Sequence, residues 1–137
     1  MELYQTKSNK LHGTNFSEVC KVAYDLYRDI KRKTKRRAYV RSAYFNKEKI
    51  FLELFWSHLH EKLNHRDKLR RVKYFPCALE LIRHSICIPE SKENVDRRSD
   101  ILHRFRGKTK NGEIFFVQIK EDKRNNQKWL MSIFPLE

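Results

Sequence analysis

The sequence has no apolar run long enough to span a membrane, no internal repeat and few cysteines. Of its 137 residues only Cys20, Cys77 and Cys87 are cysteine, and no two of them form a C-x-x-C pair. Zinc sites are built from ligands at short, paired spacings, so these cysteines and six scattered histidines predict no metal, and we expect no other cofactor. The odd number of cysteines and the absence of a signal peptide predict a location in the reducing cytoplasm. The lack of a spanning segment predicts that the protein binds no membrane.

Acidic residues are also scarce. Seventeen Asp plus Glu stand against 31 Lys plus Arg, which gives a formal net charge of +14. Such an excess destabilises a folded chain by self-repulsion, and it usually indicates a polyanionic partner. Because Arg-rich stretches suit bidentate phosphate contacts, we expect that partner to be a nucleic acid. A hydrophobic fraction of 39%, with 12% aromatics, predicts a single domain over residues 1–137 with a substantial core.

The N-terminal part is predicted to be a tail over residues 1–14, containing a short strand at most, followed by a basic helical part over residues 15–85. Asn15 or Ser17 can cap a first helix, whose apolar residues recur at helical spacing as far as Ile30. Six of the next seven residues are cations, more than a helix C-terminus needs. We predict that they contact nucleic acid: Lys31, Arg32, Lys33, Lys35, Arg36 and Arg37.

A second helix is predicted over Lys47–Leu63, with Asn46 as its N-cap. His58 lies on the apolar face of this helix, and we interpret it as a core histidine. A third helical segment over Arg66–Ser85 is expected to break near Pro76. Its Arg70 and Arg71 are further predicted nucleic-acid contacts. Residues 86–88 then suggest a short strand, and residues 90–100 a loop.

After that loop the hydrophobic period changes from helical to alternating, which predicts an antiparallel sheet over residues 101–135. Lys110–Gly112 contains Asn-Gly, the strongest short hairpin signal, and a second turn falls at Arg124–Gln127. The fold class is therefore α+β, with N-terminal helices followed by a small curved antiparallel sheet. The strands are predicted at Ile101–Thr109, Glu113–Glu121 and Lys128–Phe134.

Alternation along the strands decides which side chains share a face. On the second strand Phe115, Val117 and Ile119 suit the core, which leaves Gln118 and Lys120 on the polar face with Ile114 and Phe116. On the third strand Trp129, Met131 and Ile133 are expected in the core, and Leu130, Ser132 and Phe134 on the polar face. This arrangement requires a turn of odd length, three or five residues, between the two strands.

The register of the first strand has two solutions. A two-residue Asn111–Gly112 turn pairs His103 with Lys120 and places the histidine on the polar face. A longer turn instead brings Arg104 and Arg106 to that face. The alternation of Leu102 with Arg104, Arg106 and Lys108 favours the longer turn, because three cations should not face the core. Both solutions remain open at this point.

Either register suits RNA cleavage without a metal. That reaction needs a base for the 2′-hydroxyl proton, cations for the charge on the phosphorane, and an acid for the leaving 5′-oxygen. His103 is a candidate acid or base. Lys120 and Arg104 are candidates to stabilise the phosphate, with Arg106 and Lys108 as additional contacts. Gln118 and Ser132 are candidates to orient it.

Three short strings of the sequence also resemble a known group of nucleases. They run from Leu102 to Gly112, from Phe116 to Glu121 and from Met131 to Pro135. As a set they resemble the phage and prophage nuclease families of the BECR fold, which groups barnase, EndoU, the tRNase colicins and RelE-type toxins. The resemblance covers residues 75–135 and implies a metal-independent ribonuclease, often a toxin cleaving tRNA or mRNA, with an acidic antitoxin or immunity protein as partner. The matching site positions are His103, Arg104, Gln118, Lys120 and Ser132.

Two other functions fit the same composition. The first is a non-catalytic nucleic-acid-binding module that uses the basic segments as phosphate contacts. The second is an interaction protein, such as an inhibitor or antitoxin that binds an acidic partner. Binding that persists at high salt would favour the second over both nucleic-acid functions.

Overall fold

A computed structural model describes residues 2–61 and 64–136. The chain is α+β, as predicted, but its sheet is larger than predicted and is mixed, because two of its strand pairs are parallel. The sheet curls into a half-barrel with the strand order β1-β5-β6-β7-β3-β2, and β4 also pairs with β5. The elements are β1 Leu3–Gln5, α1 Phe16–Thr34, β2 Tyr39–Ser42, β3 Glu48–Phe51, α2 Glu53–Glu61, α3 His65–Val72, α4 Phe75–His84, β4 Glu90–Asn94, β5 Arg97–Lys108, β6 Ile114–Asp122 and β7 Lys128–Pro135.

Helix α1 begins where the sequence predicts. The side chain of Asn15 accepts a hydrogen bond from the backbone N–H of Glu18 at 3.1 Å, so Asn15 is the N-cap. Val19, Ala23 and Tyr27 form its buried face. The predicted tail contains the short strand that the prediction allowed: β1 pairs in parallel with the end of β5 and becomes part of the sheet.

The predicted second helix begins too early. Residues 39–51 form the β2–β3 hairpin, and α2 starts only at Glu53. Asn46 is not a helix cap but a turn residue with φ of +55°, and Lys47 follows with φ of +65°. Ile50 and Phe51 are followed by apolar residues at positions 54 and 55, a spacing typical of a helix. The spacing therefore predicted a helix where the chain forms strand β3. The predicted C-terminal end at Leu63 lies outside the described residues.

The third helical segment is broken, as predicted, but earlier than expected. The break falls at Lys73 and Tyr74, and Pro76 lies in the first turn of α4, where its missing N–H costs no hydrogen bond. Two neighbouring predictions were wrong. Residues 86–88 form no strand, and the predicted loop over 90–100 contains β4 and the start of β5. Strand β4 is polar throughout, so it carries no alternating signal, and it forms because β5 offers it an unpaired edge.

The strands bury one face against the helices. Phe115, Val117 and Ile119 are fully buried, as predicted, together with Ile133 of β7. Gly107 on β5 allows Phe115 and Leu81 of α4 to meet above it, since a Cβ at this position would lie 2.4 Å from the Phe115 ring. We call the opposite side of the sheet the outer face, and its side chains are half-buried.

The prediction of which β7 side chains face the core was only partly right, because β7 contains a bulge. Gln118 and Ser132 share a face, as predicted, and they pair directly. Ile119 pairs with Leu130, so Met131 has no partner. Before the bulge the faces are reversed: Leu130 is fully buried, and Trp129 lies on the outer face opposite Lys120. The predicted odd-length turn is therefore not needed, because the bulge changes the parity instead. No helix in the described part of the chain is both long and apolar enough to cross a membrane.

Candidate active site

The centre of the outer face is a row of polar side chains on three adjacent strands. Arg104 of β5 pairs with Gln118 of β6, and Gln118 pairs with Ser132 of β7. Residues paired in register point to the same side of a sheet, so the three side chains are neighbours. In the next row Phe116 and Phe134 stack with ring centroids 5.3 Å apart. The longer of the two turns is thus the one present, and it places Arg104 on this face.

Two helices complete the site beside β7. Strand β3 leads directly into α2, which carries His58 and Glu61 one turn apart. Side chains at this spacing lie on the same side of a helix. Helix α3 contributes Arg71, whose Nη1 donates to the hydroxyl oxygen of Ser132 at 3.2 Å. The helices therefore bring a carboxylate, an imidazole and a guanidinium to the end of the polar row.

These groups surround a surface pocket of about 630 Å³. Its size suits a nucleotide or a similar small polar molecule. A carboxylate, an imidazole and two guanidinium groups thus border one space. The pocket is lined by His58, Glu61, Arg71, Arg104, Gln118, Met131, Ser132 and Phe134.

The two arginines are held differently. Arg71 Nε donates to Asp67 at 2.9 Å, and Arg71 Nη1 reaches the carbonyl oxygen of Ile133 at 3.4 Å. Burial raises the pKa of Asp67, but hydrogen bonds from Arg70 and Arg71 outweigh it and lower that pKa below its ordinary value. Asp67 thus stays an anion and fixes the orientation of Arg71.

Arg104 has no such support. Within residues 2–61 and 64–136 its guanidinium makes no hydrogen bond or ion pair, and it lies 5.5 Å from the ring centroid of Phe134 and 5.9 Å from that of Phe116. Its hydrogen-bond donors are therefore available to a ligand in the pocket. An anion with several oxygens, such as a phosphate, is the ligand that two such guanidinium groups accept best.

The structure brings together three of the five predicted catalytic residues: Arg104, Gln118 and Ser132. Lys120 shares the outer face but does not line the pocket, because its Nζ lies 4.0 Å from Asp100 and 5.2 Å from the ring centroid of Trp129. His103 points to the opposite face. It is 8% exposed and is held between Ser91 and Glu121.

The predicted nucleic-acid contacts occupy several places. Lys31, Arg32 and Lys35 border a second surface depression of about 590 Å³ along α1, and Lys33 and Arg36 are exposed nearby in sequence. Arg37 forms an ion pair with Glu53. Arg70 is bonded to Asp67 and is not a free phosphate contact. The remaining contacts are Arg71 in the pocket, and Arg106 and Lys108 on the outer face of β5.

The sequence interpretation missed His58 and Glu61. His58 is half-buried and lines the pocket, so the interpretation as a core histidine was wrong. The available signal was the i, i+3 spacing of a histidine and a glutamate at the end of a helix, but nothing local shows that this end meets β7. Among the described residues no group of three or more His, Cys, Asp or Glu side chains is placed to hold a metal ion.

The chain was compared with models of protein families, with characterised proteins and with solved structures, and none of them matches it. The resemblance to BECR-fold nucleases therefore stays a prediction.

Proposed function

We propose that the protein is an endoribonuclease that cleaves RNA by attack of the 2′-hydroxyl on the adjacent phosphate. The observation that carries this proposal is a single pocket lined by Glu61, His58, Arg71 and Arg104. A base, an acid and two cations are what this reaction requires. The resemblance to metal-independent nucleases supports the same chemistry.

The proposed roles follow from the chemistry of the side chains. The Glu61 carboxylate takes the 2′-hydroxyl proton, and the resulting oxygen attacks the phosphorus. The protonated His58 imidazole donates a proton to the leaving 5′-oxygen, which yields a 2′,3′-cyclic phosphate and a free 5′-hydroxyl. Arg71 and Arg104 stabilise the additional negative charge of the phosphorane. Gln118 and Ser132 orient the phosphate.

This assignment differs from the one made on the sequence. His58 takes the place of His103, which has no path to the pocket from the other face. Arg71 takes the place of Lys120, which lies on the outer face but does not line the pocket. Arg104, Gln118 and Ser132 keep the roles predicted for them.

The test is cleavage of a labelled single-stranded RNA in EDTA by the parent and by the His58→Ala, Glu61→Gln and Arg104→Ala variants. Losing an acid or a base should slow cleavage by about 10²- to 10⁴-fold. Losing one phosphate-stabilising donor should slow it by about 10²- to 10³-fold. The expected product of the parent is a 2′,3′-cyclic phosphate, identified by mass spectrometry.

His60→Ala is the matched control, because this exposed histidine lies on the same helix and does not line the pocket. It should cleave like the parent. An inactive parent, or variants that cleave as fast as His60→Ala, would disprove the proposal. Cleavage that stops in EDTA would instead show that a metal is required.

The second candidate is a nucleic-acid-binding module without catalytic activity. The exposed cations along α1, together with the net charge of +14, favour it. It predicts salt-dependent binding with all of the RNA recovered intact. The cleavage assay therefore separates the two candidates directly.

A further inference from the structure

A second row of side chains crosses the outer face next to the pocket. Tyr39 of β2 pairs with Phe51 of β3, Phe51 pairs with Trp129 of β7, and Trp129 pairs with Lys120 of β6. All four side chains are half-buried and none belongs to the core. We call this set the aromatic row. With strands about 4.8 Å apart, its three rings extend over about 10 Å.

Each ring in the row has a cation beside it. Arg37 lies 3.8 Å above the ring centroid of Phe51, and Lys49 lies 4.7 Å from that of Tyr39. Lys120 lies 5.2 Å from the centroid of Trp129. Arg37 is paired with Glu53, whereas Lys49 has no acidic partner among the described residues. The row thus alternates flat apolar surfaces with positive charge.

The aromatic row adjoins the pocket. Trp129 and Ser132 lie on the outer face of β7, on either side of Met131, and Lys120 and Gln118 are two residues apart on the same face of β6. A chain lying along the row therefore leads directly to the polar row of the site. On β2, two residues after Tyr39 and on the same face, lies Arg41, which is exposed.

We propose that the aromatic row binds single-stranded nucleic acid, with bases stacked on Trp129 and Tyr39 and phosphates beside Lys49 and Lys120. The guanidinium of Arg37, 3.8 Å above the ring centroid of Phe51, offers a third stacking surface between the two rings. Rings combined with cations are how proteins hold unpaired strands without reading their sequence. A duplex hides the faces of its bases, so it cannot use the rings.

This surface goes beyond the proposed cleavage reaction, and its binding does not depend on it. The test therefore uses oligonucleotides that 2′-hydroxyl attack cannot cleave. A fluorescein-labelled 2′-O-methyl RNA 12-mer, the DNA 12-mer of the same sequence and the corresponding duplexes are titrated with the protein, and anisotropy is recorded. We expect both single strands to bind at least tenfold more tightly than their duplexes.

Substitutions then locate the binding. Trp129→Ala and Tyr39→Ala should each weaken single-strand binding by about tenfold, as loss of one stacked base does, and leave duplex binding unchanged. Trp129→Phe should retain most of the affinity, which separates stacking from loss of structure. The matched control is Phe16→Ala, which removes from helix α1 a half-buried ring that lies beside Lys68 of α3 and does not belong to the aromatic row.

Three results would overturn the proposal. The first is duplex binding as tight as single-strand binding. The second is single-strand binding that Trp129→Ala and Tyr39→Ala leave unchanged. The third is competition by poly-glutamate as effective as that by the unlabelled oligonucleotide, which would mean a general polyanion surface. Loss of cleavage with these binding results intact would count against the proposed reaction alone.

Discussion

His103 Nε2 lies 2.8 Å from Glu121 Oε1, on the helix-packed side of the sheet. The other ring nitrogen, Nδ1, lies 2.6 Å from the hydroxyl oxygen of Ser91, and the ring of Phe45 packs edge-on at 4.9 Å. Both ring nitrogens of His103 thus have hydrogen-bond partners within the fold. The histidine ties β4 to β5 and β6, which is a structural role.

We therefore expect His103→Ala to reduce stability and not catalysis. It removes the hydrogen-bond partner of the Ser91 hydroxyl and of Glu121 Oε1, which should lower the free energy of unfolding by about 1–3 kcal/mol. Urea denaturation measures this loss. RNA cleavage, measured well below the unfolding midpoint, should proceed at the parent rate. A His103→Ala variant of parent-like stability that cleaves RNA 100-fold more slowly would show that His103 takes part in the reaction.

Arg71 should not be replaceable by lysine. Its guanidinium bonds Asp67 through Nε and Ser132 through Nη1, and a single ammonium group cannot reproduce this two-sided geometry. Arg71→Lys is expected to lower the free energy of unfolding by about 1 kcal/mol and to slow RNA cleavage at least tenfold. Arg66→Lys, at an exposed position of the same helix, is the control and should change neither. Parent-like cleavage by Arg71→Lys would mean that only its charge is needed.

Asp122 should contribute a pH-dependent part of the stability. Hydrogen bonds from the side chain and then the backbone N–H of Arg124 lower the pKa of Asp122 from 3.8 to about 2. A lowered folded-state pKa means a contribution that is fully present above pH 4 and is lost as the pH falls through about 2. Asp122→Asn should therefore be less stable than the parent at pH 7, and this difference should shrink toward pH 2.

Urea midpoints of the two proteins, recorded at several pH values between 2 and 7, measure that difference. Asp96→Asn, at an exposed turn position, is the control and should follow the parent throughout. A difference between Asp122→Asn and the parent that stays constant down to pH 2 would contradict the assignment.

Much of the sheet could be predicted because apolar and polar residues alternate along its strands, which is a local signal. The three buried residues of β6 alternate strictly, and the cations of β5 at positions 104, 106 and 108 indicate the longer turn. The Asn15 cap is likewise a local signal. Where one face must be apolar, the sequence alone decides which side chains point outward.

The rest depends on contacts distant in sequence. Arg71 reaches Ser132 across 61 residues, and nothing near either position indicates the contact. Strand β4 has no alternating pattern of its own and forms by pairing with the edge of β5. Asn46 and Lys47 adopt positive φ without glycine, so the β2–β3 turn carried no strong signal. His58 and Glu61 were missed for this reason, and Arg71 was predicted only as a nucleic-acid contact.

The bulge at Met131 gives the sharpest test of the register. Gln118 pairs with Ser132 and Ile119 pairs with Leu130, so removing Met131 joins two pairs that are then consecutive in a regular ladder. Every other residue of β7 would keep its face. We expect the Met131 deletion to fold, with a free energy of unfolding within about 2 kcal/mol of the parent.

Deleting Gln118 from β6 should behave oppositely. It lies opposite the unbulged residue Ser132, so its loss turns the following core residues outward. We expect that variant not to fold. Because bulges re-aim side chains beside functional sites, the Met131 deletion should also cleave RNA at least tenfold more slowly than the parent. Urea denaturation and the cleavage assay check both outcomes. A Met131 deletion that unfolds, while Met131→Ala is stable, would mean that the fold itself requires the bulge.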